Sequence, residues 1–319
     1  MKIRALLIAC LLTGASHATA APARVLVGAY VNDIQNLDVK THSFAADIYL
    51  WFKWKSGKLD PAQSFEFINP SELWGHVRTK NFEQPLTREE GLHYQLVRVQ
   101  GRFGQKFPLD RYPFDHQTLA VELEDGALTV KDLVFEADRV PITVNPRLVI
   151  PGFALGTARL VVENYVYPTN FGDMFDGDKG TYSRIRFEIP IYRPMMAYAI
   201  KLILPIFCVV FCASLIFLFH PNYVDSRMGV GITALLTIVA LQITLNEDLP
   251  DIGYLVLIDK IYLCSYVFVI LALAIIVRTT QLKDAGQEQR AIALNHRALW
   301  MLVVSYLATV TTIVTWALR

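Results

Sequence analysis

One apolar stretch of the sequence has more hydroxyl groups and glycines than a lipid-facing helix needs. It runs from Ser226 to Glu247 and is long enough to cross a bilayer. Spacings of four and three residues place six of its side chains on one helix face. In chain order they are Gly229, Thr233, Leu236, Ala240, Ile243 and Glu247. Along the helix these positions are first small or hydroxylated, then apolar and finally acidic. Such a series suits the wall of a water-filled pore in which apolar rings act as a gate by expelling water.

The same stripe has a plainer interpretation. Small residues let a helix pack closely inside a bundle, and Ser and Thr can bond their own backbone carbonyls. A single copy of the helix cannot enclose a pore, so the pore interpretation requires several copies around an axis. Both interpretations remain open on this stretch alone.

The composition indicates a chain that is part soluble and part membrane-bound. It has 319 residues, of which 53% are apolar, and a formal net charge of +1. This charge gives no support to nucleic-acid binding, which needs a basic surface. Lys2 and Arg4, the apolar core that follows and Ala18-Thr19-Ala20 predict a secretory signal at 1–20, cleaved after Ala20.

The region 21–194 shows short alternating runs separated by Gly, Pro, Asn and Asp, which predict an all-β, immunoglobulin-like sandwich outside the cytoplasm. It contains no cysteine, so it must rest on its own core. In Ala46–Trp54, apolar side chains alternate with polar or aromatic ones. In two further runs, apolar side chains alternate with charged ones, and we expect the charged side chains to face water. These charged residues are Glu122, Glu124, Arg184, Arg186 and Glu188.

The region 195–319 predicts a four-helix transmembrane domain. The predicted spans are Ala197–Phe219, the stretch ending at Glu247, Leu255–Val277 and Ala298–Leu318. The segment 246–254 is acidic, whereas 278–297 carries four basic residues, so we expect 278–297 to be a short cytoplasmic loop. Both termini then lie outside the cytoplasm.

The sequence Leu-Asp-Arg-Tyr-Pro-Phe-Asp-His-Gln at Leu109–Gln117 resembles the signature loop of the Cys-loop receptors, the pentameric ligand-gated ion channels. Other residues fit the family in order: Gly101, Phe103, Arg193-Pro194, Pro205 and Arg227. The cysteines that close the loop in animal members would fall at Gln105 and Leu119, so the chain resembles the bacterial branch. Gly253 replaces a usual proline.

The resemblance implies a homopentamer around a central pore, in a bacterial inner membrane and with the sandwich in the periplasm. The expected partners are membrane lipid, permeant ions, and either a small-molecule agonist or protons. No cofactor, metal site or nucleic acid is implied.

The resemblance also implies an agonist site between neighbouring sandwiches. Tyr49 and Trp51 match the strand from one subunit, and Tyr165, Tyr167 and Tyr182 flank the loop that caps the site from the other. Ring faces attract ammonium groups, and aspartates in the capping loop favour a cation, so an amine is one candidate. One expected aromatic is missing, because Asp125-Gly126 follows Glu124. The alternative is that Tyr49 and Trp51 only pack in a subunit interface.

Coupling between sandwich and pore is implied for five residues where the two meet: Pro113, Phe114, Asp115, Arg193 and Pro250. Asp115 and Arg193 are expected to pair in an element with two states. The alternative for Asp115 is a turn-forming role beside Pro113.

Selectivity follows from charged rings in a pentamer. Asp225 and Glu247 would form carboxylate rings at the two mouths and favour cations. Asp225 is also suited to cap the helix. The run Arg227–Thr233 resembles the family's anion channels, which usually have Pro-Ala where this chain has Asp225-Ser226, so anion selectivity is the alternative. Leu236 and Ile243 are the predicted gate.

Two other classes of protein compete with a channel. The histidines lack metal-ligand spacing, and the sequence has no nucleophile elbow, zincin motif or phosphate loop, so we do not expect an enzyme. A membrane-anchored sensor that binds ligand without conducting stays open, but it would not require Gly229, Thr233 and Glu247 to share a face.

Overall fold

The computed structural model describes residues 21–57, 59–72, 75–172 and 180–318. The predicted signal segment 1–20 and the aspartates at 173, 176 and 178 lie outside the described residues. The described chain is a β-sandwich followed by a bundle of long apolar helices, which confirms the predicted fold class.

The strands of the sandwich, in chain order, are β1 Ala23–Asp38, β2 Ser43–Trp54, β3 Phe65–Phe67, β4 Val77–Lys80, β5 Leu86–Thr87, β6 His93–Gly104, β7 His116–Asp125, β8 Leu133–Val144, β9 Ala154–Leu155, β10 Arg159–Val166 and β11 Thr181–Tyr192. One sheet has the order β4-β6-β2-β1-β8, with β5 on β6. The other has the order β10-β11-β7-β3, with β9 on β11. All pairings are antiparallel except β1 with β8, which is parallel. Short helical turns lie at Pro61–Ser64 and Glu89–Gly91.

The core lies between the two sheets and follows the alternation of the strands. Every second side chain of β2 is buried in it, from Ala46 to Trp54, as the alternation predicts. On the opposite face of β2 the Trp51 ring lies against Gly28 of the neighbouring strand. A Cβ atom at position 28 would lie 2.2 Å from that ring, so only glycine fits there.

The predicted wet face of β7 and β11 is largely covered, which corrects the sequence interpretation. Glu124, Arg184 and Glu188 are each less than 10% exposed. They are buried because they form ion pairs: Arg184 with Glu124, and Arg159 with Glu188. Strand alternation shows which side chains share a face, but not whether neighbouring charges cover one another.

Four helical segments within the described ranges are long and apolar enough to cross a membrane, so this is a multi-pass membrane protein. They are α1 Met195–Leu218, α2 Val224–Glu247, α3 Leu257–Asp284 and α4 Glu288–Ala317. In α1 a wide π-helical turn at Ala199–Ile203 directly precedes the helical residues around Pro205. Such turns accommodate the backbone groups that a proline leaves without partners.

The segment 278–297, expected to be a short loop, is helical over most of its length. Residues 278–284 continue α3, residues 288–297 belong to α4, and only 285–287 connect the two helices. Gly286 has φ +73°, the left-handed conformation that commonly ends a helix. Hydropathy detects only the apolar part of a helix, so it cannot show that a polar end remains helical.

Candidate functional site

The predicted stripe of α2 lies on the side of that helix that no other part of the chain covers. All six of its residues are exposed, and Leu236 and Ile243 are 64% and 57% exposed. The opposite side packs against the bundle through five buried residues: Arg227, Gly231, Ala234, Ile238 and Leu245. The face that packs within the chain is therefore a different face from the stripe.

Some hydroxyls of α2 behave as the plainer interpretation expects. The hydroxyl groups of Thr237 and Thr244 donate to the carbonyls of Thr233 and Ala240, at 2.8 and 3.1 Å. These two threonines stand beside the stripe and not on it. Their bonds account for two hydroxyls but not for the exposure of the stripe.

The two carboxylates predicted for the mouths lie at opposite ends of α2, and both are exposed. Asp225 is not the N-cap, because α2 begins at Val224 and Tyr223 occupies the capping position. A carboxylate in the first turn still interacts favourably with the helix dipole. At the other end, the Lys40 ammonium donates to the Glu247 carbonyl at 3.2 Å, a contact between the sandwich and the pore helix.

Arg227 holds the buried side of α2 to each of the other three helices. It is 0% exposed. Its guanidinium donates to the Ile216 carbonyl of α1 at 3.2 Å, to Thr279 of α3 at 3.1 Å and to Asn295 of α4 at 2.7 Å. Sequence reasoning missed this cluster, although a charge inside an apolar span is a signal for such a site.

The predicted pair between Asp115 and Arg193 is confirmed. The Arg193 Nε atom donates to the Asp115 carboxylate at 2.8 Å, and both side chains are buried. Arg193 also donates to the Tyr198 hydroxyl of α1 at 3.2 Å. Its guanidinium lies 4.9 Å from the centre of the Tyr112 ring. Burial raises the pKa of Tyr112 to about 12, although Arg193 acts in the opposite direction, so this phenol stays neutral.

The signature loop lies on the start of α3. The backbone N–H groups of Leu257 and Ile258 donate to the carbonyls of Asp110 and Tyr112, at 3.0 and 3.3 Å. The first N–H groups of a helix have no partner inside the helix, so the loop supplies them. In addition, the Leu109 N–H donates to the hydroxyl of Tyr254, at 3.1 Å.

The other predicted coupling residues lie at or near the same junction. Phe114 packs with Leu257 and Ala317, at the start of α3 and the end of α4. Pro113 follows a cis peptide bond and is buried, and Pro250 is buried in the connection between α2 and α3.

Three of the five predicted agonist residues come together at the β10–β11 hairpin. Tyr165, Tyr167 and Tyr182, with Phe171, form an aromatic cluster in which the Tyr167 ring is central. Ring centres lie 4.8 Å apart for Tyr165 and Tyr167 and 5.7 Å apart for Tyr167 and Tyr182, with edge-to-face geometry.

Tyr49 and Trp51 lie on β2 in the other sheet and take part in separate contacts. The Arg98 guanidinium lies 5.4 Å from the centre of the Tyr49 ring. The Trp51 indole donates to Asp138 at 2.7 Å, and Lys53 donates to the same carboxylate. Burial raises the pKa of Asp138, but these two hydrogen bonds, the Arg139 N–H and the Lys53 charge together outweigh it, and the net shift is downward. Within one chain, the Trp51 indole N–H is therefore already bonded to Asp138.

Arg184 lies against the aromatic cluster and was not predicted there. Its guanidinium is 3.6 Å from the centre of the Tyr165 ring. It donates to Glu124 and, at 3.1 Å, to the Tyr167 hydroxyl, which itself donates to Glu124 at 3.0 Å. Burial, followed by the adjacent Glu124 carboxylate, raises the pKa of Tyr167. Among the described residues no group of three or more His, Cys, Asp or Glu side chains is placed to hold a metal ion.

Comparison with known proteins gives two informative relatives. A proton-gated ion channel of Gloeobacter violaceus is 23% identical over 290 residues, which cover 86% of this chain and 77% of that protein. The gamma-aminobutyric acid receptor subunit beta-4 of Gallus gallus is 29% identical over 209 residues, 65% of this chain and 41% of that subunit. No protein family profile matches the chain.

Both relatives are ion-channel proteins, so the expectation that this chain is not an enzyme is confirmed. These two relatives indicate the pentameric ligand-gated ion channel family for this chain.

Proposed function

We propose that five copies of this chain form a cation-selective channel whose pore is lined by the stripe of α2. The observation that carries the proposal is the division of α2 into a packed face and an uncovered face. The uncovered face bears the graded series from Gly229 through Leu236 to Glu247. A face that is both polar and apolar suits water on a symmetry axis better than lipid.

The gate is assigned to Leu236 and Ile243. Rings of apolar side chains expel water from a narrow pore, so a small change in radius opens or closes the path. Leu236→Ala is expected to shift the channel toward opening, measured as an increased resting current and as activation by a weaker stimulus. Leu235→Ala is the matched control, because Leu235 packs against the bundle beside the stripe. An unchanged closed state in Leu236→Ala would contradict the assignment.

Cation selectivity is assigned to Asp225 and Glu247. Five carboxylates at each mouth would concentrate cations. The reversal potential in a salt gradient tests the sign of the selectivity, and Asp225→Ala is expected to reduce or invert it. Asp284→Ala removes an exposed carboxylate from α3 and is expected to change nothing. An anion-selective wild-type channel would establish the alternative suggested by the Arg227–Thr233 run.

We assign the site of the opening stimulus to the sandwich, where either a ligand or protons would bind. One relative is a proton-gated channel and the other is a subunit of a gamma-aminobutyric acid receptor, so both kinds of stimulus have a precedent among the relatives. Current recording during stepwise changes of pH, and then of a panel of amines, separates them. We assign the chain to the inner membrane of a bacterium, with the sandwich in the periplasm, because basic residues concentrate in 278–297, where the end of α3 meets the start of α4.

A non-conducting membrane sensor is the competing function. A sensor would use the sandwich and the Asp115–Arg193 junction, but it would need no water-filled pore. Single-channel recording from purified protein in bilayers distinguishes the two, because a sensor would bind ligand and pass no current under any stimulus. A purified protein that is monomeric in lipid would also contradict the channel.

A further inference from the structure

The aromatic cluster of the β10–β11 hairpin already contains a cation. Arg184 is 7% exposed, and its guanidinium covers a face of the Tyr165 ring. It lies 5.9 Å from the centre of the Tyr167 ring, so the same group meets two of the three tyrosines expected to bind an amine. A guanidinium stacked on an aromatic ring uses the attraction that an ammonium ligand would use.

The donors of Arg184 also have partners. Glu124 accepts from the Nε atom, the Tyr167 hydroxyl accepts from Nη2, and Glu122 lies 3.5 Å from Nη1. These partners come from the neighbouring strand β7 and from the hairpin, so they hold the guanidinium from two sides. Little hydrogen-bonding capacity remains for a ligand.

The charges near Arg184 argue against an anionic ligand as well. Two carboxylates, Glu122 and Glu124, accompany a single guanidinium, so a carboxylate ligand placed there would meet a net negative environment. A cationic ligand would be favoured by the same carboxylates, but its place is taken. The cluster therefore has the chemistry of a cation site whose occupant belongs to the chain.

We propose that Arg184 is a tethered occupant of the aromatic cluster, so that amines and guanidines bind between Tyr165 and Glu124 only when Arg184 is absent or displaced. The inference rests on the proposed function only in treating this cluster as the ligand side of the subunit interface. Arg184 is then a specificity-determining residue: it excludes small free cations from the cluster in the wild-type protein.

The test compares the full chain with Arg184→Ala in detergent, with ethylguanidinium and propylamine as probes. Binding to the folded state raises the melting temperature. Ethylguanidinium is expected to stabilise Arg184→Ala, with binding at least about tenfold tighter than to wild type, a difference of about 1.4 kcal/mol. Adding Tyr165→Ala to the variant is expected to remove this stabilisation.

Arg186→Ala is the matched control. Arg186 projects from the same strand two residues further on and pairs with Glu163 and Glu188, outside the cluster. Its removal is expected to create no probe binding. Equal probe binding by Arg186→Ala would show that the loss of any arginine on this face suffices, and would overturn the proposal.

Two further arms keep the test decisive if Arg184→Ala does not fold. Arg184→Gln retains a donor for Glu124 but carries no charge, and it is expected to bind ethylguanidinium more tightly than wild type. In wild type itself, any effect of the probes is expected to be the same with and without Tyr165→Ala. A wild-type melting shift that disappears in Tyr165→Ala would mean an open cation site, and a folded Arg184→Ala that binds no probe would mean that the cluster is no cation site. Either result overturns the proposal.

Melting requires no current, so this test is independent of whether the protein conducts. A protein that passes no current but binds ethylguanidinium only without Arg184 would contradict the proposed function and leave the tethered occupant supported.

Discussion

The two ends of the ladder between β7 and β11 carry the same chemistry and serve different parts of the molecule. In the ladder between β11 and β7 the pairing runs from Ile185 opposite Leu123 to Tyr192 opposite His116. One step beyond each end, Arg184 meets Glu124 and Arg193 meets Asp115. Both are buried ion pairs between neighbouring strands, and both arginines lie against tyrosine rings.

The difference lies in what else each arginine contacts. The other partners of Arg184 come from β7 and β10–β11, inside the sandwich. Arg193 contacts the Tyr198 hydroxyl of α1 and the Tyr112 ring of the signature loop, which in turn bonds to α3. One pair therefore fixes a hairpin, whereas the other joins the sandwich to two membrane helices. The residue types do not distinguish them, but the elements that they connect do.

The largest effect is expected for Arg193→Gln. It leaves Asp115 buried with a neutral partner, and breaking a buried ion pair typically costs about 3–5 kcal/mol. Thermal unfolding of the full chain in detergent measures the loss, and hydrogen exchange is expected to rise in the first turns of α1. The matched control is Arg159→Gln, whose side chain is 66% exposed and whose loss should cost about 1 kcal/mol or less.

Charge reversal tests whether Asp115 and Arg193 act as a pair. If Asp115 and Arg193 act as a pair, Asp115→Arg with Arg193→Asp is expected to recover part of the stability and current that each single change removes. If Asp115 acts only by forming the turn beside Pro113, the double variant will show no recovery.

A smaller effect is expected for Arg184→Gln, of about 2–3 kcal/mol, because β10 is an edge strand that can relax around the change. Hydrogen exchange should rise in β10 and in the Thr181 end of β11, while α1 keeps its protection. Loss of protection in α1 to the extent seen for Arg193→Gln would break the comparison, since the hairpin pair would then also hold the membrane domain.

Asn295→Ala tests a buried arginine whose observed acceptors are all neutral. It removes the acceptor of Arg227 on α4, and leaving a buried donor without a partner costs about 1–3 kcal/mol. Unfolding in detergent provides the measurement. Thr312→Ala is the control on the same helix, because the exposed Thr312 hydroxyl bonds only to the Ala308 carbonyl. Equal losses in the two variants would show that Arg227 does not depend on α4.

The smallest effect concerns pH. Guanidinium groups keep their charge between pH 5 and 8, so acid sensitivity of the sandwich in that range must come from other groups. His76 lies over Gly101, against the Phe67 and Phe103 rings. Burial, followed by repulsion from Arg78, lowers the pKa of His76, whereas Glu72 opposes the shift.

Because its folded pKa is lowered, His76 takes up a proton more readily in the unfolded chain. Its contribution to stability is complete above the ordinary histidine pKa of about 6.5 and decreases as the pH falls below it. The melting temperature of wild type is therefore expected to fall more between pH 7.5 and 5 than that of His76→Gln. The exposed His296→Gln should behave like wild type. An identical fall in His76→Gln would assign the acid sensitivity elsewhere.

The sequence predicted the features that depend on local periods. Alternation identified the buried side of β2, and the spacing of Gly229, Leu236 and Ile243 identified the uncovered side of α2. Both patterns repeat within a few residues and need no knowledge of distant neighbours. The pairing of Asp115 with Arg193 came from the resemblance and agrees with the observed contact.

The features that were missed depend on how distant segments meet. Nothing local shows that Arg184 lies on Tyr165, because that contact depends on the pairing of β10 with β11. The same holds for Arg227, whose acceptors Thr279 and Asn295 are 52 and 68 residues away. Asp225 was expected at the cap because the apolar signal begins after it, whereas the helix begins at Val224.

The short connection between α3 and α4 has a consequence for engineering. At 1.5 Å per residue, the 28 residues of α3 and the 30 of α4 extend about 42 and 45 Å, beyond the roughly 30 Å of hydrocarbon in a bilayer. The chain therefore reverses in water, at the end of the bundle farthest from the sandwich. A fluorescent reporter inserted at 285–287 would leave the contacts of Arg227 and the signature loop in place, and would make assembly visible without touching the wall of the pore.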